Sequence, residues 1–155
     1  MILHMKQLEE LRPQLSGDIV ATDGCFDLMH IGHIGRLRDA SLCGDILIVG
    51  INTDEHMRKL KREPIISQGS RAITVDAIKG VDYVVMIDLE DRCKFPMVVR
   101  ANTYIKEDGT ERDDLIESIE ESGANLVYSQ RHYNTSTSDI INSIKGDYCN
   151  DSKSK

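Results

Sequence analysis

The stretch DILIVGIN, residues 45–52, is apolar at nearly every position, and it limits the possible folds more than any other segment. A strand with one wet face alternates apolar and polar side chains. An apolar run of this length instead fits a strand covered on both faces, as in parallel sheets flanked by helices. Its surroundings keep the matching rhythm. DIVATDG (18–24) reads as a shorter strand stopped by glycine. HIGRLRDASLCG (33–44) reads as a helix with Ile34, Leu37 and Ser41 on one side and a glycine stop. TDEHMRKL (53–60) reads as a helix, followed by a loop around Pro64.

The alternation continues with a helix in SRAITVDAIKG (70–80), a strand in VDYVVMID (81–88) and a strand in MVVRA (97–101). YIKEDGTERDD reads as a charged, solvated loop. TERDDLIESIEESG (110–123) reads as a helix opened by Thr110 and Asp113 in positions resembling a capping box, with Leu115, Ile116 and Ile119 as its apolar stripe. NLVYS (125–129) is a strand, and STSDIINSIKG (136–146) a helix with Ile140, Ile141 and Ile144 inward. Strands separated by helices imply βαβ units with right-handed crossovers. The expected fold is therefore a single α/β domain over 18–146, a Rossmann-like doubly wound parallel sheet of about five strands. Ligands of such sheets sit beyond the carboxyl ends of the strands, where the strand order reverses. Residues 1–17 read as an N-terminal helical extension, with Leu8, Leu11 and Leu15 at helical spacing and Pro13 near its end; 147–155 read as a polar tail.

Charge narrows the partners. A net charge of −7 disfavours a broad electrostatic hold on nucleic acid or on an anionic membrane, so neither is expected. Small anions remain open, because a helix N-terminus and a local basic cluster outweigh the global sign. The four cysteines form no CxxC pair, and the N-terminus carries Lys6, Glu9 and Glu10 where a signal or membrane segment would be apolar. The expectation is a cytoplasmic protein with reduced thiols.

ATDGCFDLMHIGHIGRL, residues 21–37, then raises the chemical question, because it spends two of only five histidines, His30 and His33, at a strand-to-helix turn. A helix starting there offers unpaired backbone N–H groups and a partial positive charge, both suited to phosphate. Gly32 lets a ligand approach the backbone closely. Two imidazoles at this edge donate hydrogen bonds to phosphoryl oxygens while charge builds in a transition state, the main demand of phosphoryl-type transfer. The competing readings are a metal pair with Cys25 nearby, which needs a further ligand, and a purely structural pair. A nicotinamide dinucleotide is disfavoured because the turn lacks GxGxxG.

GCFDLMHIGH resembles the signature of the HxGH nucleotidyltransferase superfamily, here His30-Ile31-Gly32-His33, and GCFDLMHIGHIGRLRDA is most similar to its cytidylyltransferase-like branch. Within that branch DILIVGINTDEHMRKLKREPIISQGSRAITVDAIKGVDYVV resembles the enzymes that activate glycero-manno-heptose 1-phosphate with ATP, with glycerol-3-phosphate cytidylyltransferases as the near rival. YNTSTSDIINSIK resembles the second nucleotide-binding signature, in which a Ser-Thr pair opens a helix. The resemblance runs from about residue 18 to 145. It departs after the fourth expected strand, where the family's lysine and glycine are replaced by Arg100 and Ala101, and at Asn134 and Ser138.

The resemblance implies attack of a sugar or polyol phosphate on the α-phosphorus of ATP or CTP, releasing pyrophosphate. Catalysis would fall to His30, His33 and Lys61. The nucleotide and its phosphates would be bound by Gly24, Cys25, Phe26, Asp27, Gly32, Asn52, Asp54, Arg71, Arg100, Ser136 and Thr137. Mg²⁺ is expected to arrive with the triphosphate, held by phosphate oxygens and water rather than by protein ligands; a homodimer is the expected assembly. Plainer roles stand beside these. Asp27 as a turn cap, Phe26 as a packing residue, Lys61 as one cation of a solvated RKLKR helix end, Arg71 as a surface ion pair, and Ser136 and Thr137 as N-caps all remain open. Asp113 and Asp114 read as surface charges complementing a helix dipole, and His56 and His132 carry no signal. A nucleotide sensor that kept the fold without turnover is the alternative from another class.

Overall fold

The computed structural model describes residues 1–60, 62–109, 113–129 and 135–150, with only the backbone of 146–150. Six parallel strands form one sheet: β1 (Ile2–His4), β2 (Ile19–Gly24), β3 (Ile46–Asn52), β4 (Tyr83–Ile87), β5 (Thr103–Glu107) and β6 (Asn125–Ser129). Their order is β1-β4-β3-β2-β5-β6. The helices are α1 (Met5–Leu11), α2 (Ile31–Ser41), α3 (Asp54–Leu60), α4 (Gln68–Asp76), α5 (Lys94–Val99), α6 (Asp114–Glu121) and α7 (Thr137–Asn150).

The apolar run 45–52 lies in the middle of this sheet as β3. Leu47, Val49 and Ile51 of β3 face one layer, which α2 and α4 complete with Leu37, Ala40, Ala72 and Val75. Ile48 faces the opposite layer, closed by Leu8 of α1, Phe95 and Val99 of α5, and Leu115, Ile116 and Ile119 of α6. β3 is therefore buried on both sides, as its composition requires. Gly50 belongs to this packing, since a Cβ there would lie 2.2 Å from Ile87 Cδ1 and 3.0 Å from the Phe95 ring. Its missing side chain lets α5 press against the sheet.

From β2 the chain builds outward through β3 to β4, then crosses back to place β5 on the other flank of β2. The strand order thus reverses between β2 and β5, with Val20 paired to Thr103 and Thr22 to Ile105. A crevice opens at the carboxyl ends of these two strands.

Five sequence expectations need correction. The sheet has six strands, because Ile2–His4 pairs with β4 and the N-terminal segment starts as a strand before turning into α1. Three residues are too few to show a period. MVVRA is not a strand: Lys94–Val99 is a helix that buries Phe95, Pro96 and Val99 and ends on Arg100 in a left-handed conformation, φ 44°. The strand lies beyond it in TYIKE, whose Lys106 and Glu107 gave it the look of a loop although Tyr104 and Ile105 are buried. α6 is capped by Asp113 itself, whose carboxylate accepts from the amides of Leu115 and Ile116 at 3.1 and 3.2 Å. Thr110 lies outside the described residues. The last helix also runs through Asn150, past the start expected for the polar tail.

Candidate active site

β2 ends on Asp23 and Gly24, and the chain turns through Cys25–Met29 before α2 begins. This turn is forced. Phe26 and Leu28 both hold positive φ, 51° and 50°, a region costly for residues with a Cβ. The surroundings over-determine it. Buried Asp27 accepts from the amides of Ile65 and Ile66 at 3.0 and 2.9 Å and pairs with Arg62 at 2.7 Å. Its carbonyl receives the Thr137 hydroxyl at 2.8 Å. One aspartate therefore ties together the turn, the loop after α3 and the start of α7. Burial opposes ionisation of this carboxyl, but the two amides and Arg62 outweigh it and hold its pKa below the ordinary range.

His30 caps α2. Its Nδ1 accepts from the Gly32 amide at 3.1 Å, which leaves the proton of the neutral ring on Nε2. The ring of His33 stacks on it with centroids 3.9 Å apart, and Phe26 lies 5.4 Å from His33 on the other side. A Cβ on Gly32 would stand 3.0 Å from the His30 ring and 3.4 Å from the Thr135 carbonyl, so glycine lets the last loop close over this corner. Burial lowers the His30 pKa, and Glu107 opposes the shift. The imidazole is therefore a neutral N–H donor at neutral pH.

These groups line a cavity of about 440 Å³ at the carboxyl ends of β2 and β5. Of the residues expected at a binding site, the cavity collects Gly24, Cys25, Phe26, Asp27, Gly32 and Asn52 around the histidine pair. Ser136 and Thr137 close it from the start of α7. Asn52 points its amide at the Cys25 sulfur, 3.6 Å away. Ser136 also caps its own helix, donating to Asp139 at 2.6 Å and accepting from the Asp139 amide at 3.1 Å. Capping and lining are compatible here.

Three expected ligands, Arg71, Asp54 and Arg100, are not among the residues lining this cavity. Arg71 is buried, with Nε donating to the Ile66 carbonyl at 2.9 Å, Nη2 to Asp54 at 2.8 Å and Nη1 to the Cys25 carbonyl. It faces neither solvent nor the cavity, and it braces the turn from behind together with Asp54. Arg100 sits at the opposite end of the sheet, just before β5, where its carbonyl accepts from Arg12 at 3.1 Å. Lys61 lies outside the described residues, as do His132 and Asn134.

The structure adds cavity residues that the sequence reading passed over. Lys106 of β5 pairs with Asp23 at 2.9 Å, and Tyr104 donates to the same carboxylate oxygen at 2.9 Å. Burial opposes ionisation of Asp23, but Lys106 and Tyr104 prevail and its pKa is lowered. Arg92 is clasped by Asp113 and Asp114, so those two carboxylates do more than decorate a helix end. Arg36 lies under Phe26, 5.1 Å from the ring centroid. A trace of it was present in the sequence, since His30, His33 and Arg36 recur at three-residue steps along one side of α2.

Burial acts on a second histidine. His56 of α3 is buried, and its Nδ1 faces the Ile87 carbonyl at 3.1 Å while Nε2 meets no hydrogen-bond partner among the described residues. Burial lowers its pKa as it lowers that of His30. Imidazoles kept neutral in the fold favour it above the unfolded pKa of about 6.5. As pH falls below that value the unfolded chain takes up protons first, and stability declines until the folded pKa is passed. Thermal melts should therefore show a falling Tm between about pH 6.5 and 5. His56→Asn, which keeps a donor for Ile87, should flatten part of the fall, and a Tm flat across this window in the wild type would refute it.

The cavity thus lies at the reversal point of a doubly wound parallel sheet, where such α/β folds take their ligands. The cytidylyltransferase-like family matches residues 21–143, and the chain belongs to that family, which makes it a nucleotidyltransferase. The bifunctional protein HldE of Wolinella succinogenes is 36% identical over 134 residues, 83% of this chain and 27% of that protein. HldE of Helicobacter pylori strain 26695 is 36% identical over 152 residues, 97% of this chain and 32% of the relative. The chain thus spans about a third or less of the curated relatives it matches. Among solved structures, the lipopolysaccharide core biosynthesis protein of Thermoplasma volcanium superposes with a TM-score of 0.66 at 24% identity, over 77% of this chain and all of that one. Pantoate-beta-alanine ligase of Francisella tularensis, complexed with beta-gamma ATP and beta-alanine, gives 0.62 at 15% identity over 94% and 77%. Both share the fold. No helix among the described residues is long and apolar enough to cross a membrane.

Proposed function

We propose that this chain transfers AMP from ATP to the phosphate of a heptose 1-phosphate-like sugar, releasing pyrophosphate. The observation that carries the reading is the fixed tautomer of His30, whose Nδ1 is occupied by the Gly32 amide. Its Nε2–H is left as a donor beside His33 at the N-terminus of α2, in a cavity of nucleotide-compatible size. The similarity to the HldE proteins favours the sugar phosphate as acceptor.

In the reaction one acceptor phosphate oxygen bonds to the α-phosphorus as the bond from that phosphorus to the bridging oxygen breaks. Pyrophosphate leaves with the electron pair. The acceptor is already an anion at neutral pH, so no base is required. His30 and His33 donate N–H bonds to oxygens that gain charge in the pentacoordinate transition state. Gly24, Cys25 and Phe26 would line the nucleotide, and Ser136 with Thr137 would hold phosphate at the start of α7. Lys61, which directly follows α3 in the sequence, would neutralise the acceptor phosphate. Of the cavity's three carboxylates among the described residues, Asp23 is engaged by Lys106 and Tyr104 and Asp27 by loop amides, and Glu107 completes the set. That donor set fits a Mg²⁺ ion carried by phosphate oxygens and water.

A screen of pyrophosphate release with ATP or CTP against a panel of sugar and polyol phosphates tests the reading. ATP with a heptose 1-phosphate should give the highest kcat/KM and an ADP-sugar product. CTP with glycerol 3-phosphate as the better pair would replace the substrate assignment. Nucleotide binding without pyrophosphate release for any acceptor would replace it with a sensor.

A further inference from the structure

The cavity has a cation whose role none of the sequence motifs supplies. Among the described residues it is lined by four cationic side chains, Arg36, Arg62, Arg92 and Lys106. Three of them are spent on carboxylates: Arg62 on Asp27, Arg92 on Asp113 and Asp114, and Lys106 on Asp23. Arg36 differs. Its Nε is buried and meets no hydrogen-bond partner among the described residues. Its guanidinium packs on the Phe26 ring, and its Nη2 would lie 3.2 Å from a Cβ on Gly24, so a glycine makes room for it at the end of β2. Phe26 itself holds a positive φ in this turn. A strained turn, a glycine and an aromatic face thus hold one arginine at the β2/β5 reversal, one helical turn beyond His33.

Leaving a buried charged donor unsatisfied is costly, and such groups persist where a ligand completes them. Burial also pulls the Arg36 pKa down against Asp23 and Glu107, yet a guanidinium stays protonated in proteins. We infer that Arg36 is a substrate-contacting residue, donating from its guanidinium to a phosphoryl oxygen of the bound nucleoside triphosphate alongside His30 and His33. The inference rests on the nucleotidyl-transfer reading and deepens it. The planar guanidinium suits a phosphate by geometry as well as charge, so lysine cannot replace it.

Isothermal titration of the full chain with ATP, adenosine and inorganic pyrophosphate, for wild type and Arg36→Lys, tests this. Arg36→Lys should weaken ATP and pyrophosphate by about tenfold to a hundredfold, the range for a lost hydrogen bond to a charged group. Adenosine affinity and Tm should stay near wild type. Equal losses for adenosine and ATP, or an unchanged pyrophosphate affinity, would overturn the assignment. So would a wild type that binds no pyrophosphate. If the phosphate-specific loss appears but no acceptor supports pyrophosphate release, Arg36 keeps its assignment and the proposed function fails alone.

Discussion

His33→Ala lowers nucleotidyl-transfer turnover by about 10²–10³-fold, the usual cost of deleting one preorganised donor to a developing oxyanion. Tm stays within a few degrees of wild type. The two outcomes separate because of where the ring sits. His33 is only half-buried and stacks on His30 and Phe26 at the cavity wall, outside both apolar layers. Truncation therefore removes little packing, while it removes a donor from the place where transferred phosphate would gain charge. His33→Gln, which retains volume and an N–H, should recover part of the rate if donation is the role. Steady-state kinetics and thermal melts on the same preparations decide the matter. A Tm collapse with activity retained per folded molecule would make the histidine pair structural.

Arg71→Ala gives the opposite pattern, a stability loss of about 3–5 kcal/mol, the range for breaking a buried ion pair from one side. For a domain of this size that is a Tm fall of about 10 °C or more. Removing the side chain leaves the Ile66 carbonyl, the Cys25 carbonyl and the Asp54 carboxylate without their donor. Arg71→Lys should rescue little, because one ammonium cannot reach three acceptors arranged for a planar fork. Turnover falls too, through the loosened turn. A direct triphosphate ligand would show a raised KM for nucleotide with Tm unchanged. That pattern in Arg71→Ala would contradict the bracing role, and denaturant or thermal unfolding beside KM measurements distinguishes the two.

These two residues also show where the sequence was legible. The apolar run of β3 and the glycine-stopped helices revealed a two-sided parallel sheet, because burial on both faces leaves a local mark. The paired histidines were legible because HxGH ties them to one turn and one helix start. Arg71 was equally visible but misplaced: sequence shows a cation near a loop, while only the fold shows that three backbone and side-chain acceptors already surround it. β5 was missed for a related reason. Its last two residues, Lys106 and Glu107, are charged because they line the cavity, and charge at a strand end imitates a loop. Arg100 drew the expected cation to the wrong end of the sheet, since the helix over 94–99 shifts the following strand. Long-range partnerships such as Asp23 with Lys106, 83 positions apart, leave no local pattern at all.

The most direct measurement is a crystal structure of the chain with a non-hydrolysable ATP analogue. The triphosphate should lie across the start of α2, with a phosphoryl oxygen within hydrogen-bond reach of His30 Nε2 and the base toward the Gly24–Phe26 wall. An analogue bound away from the crevice between β2 and β5, or one whose phosphates turn away from both imidazoles, would contradict the account.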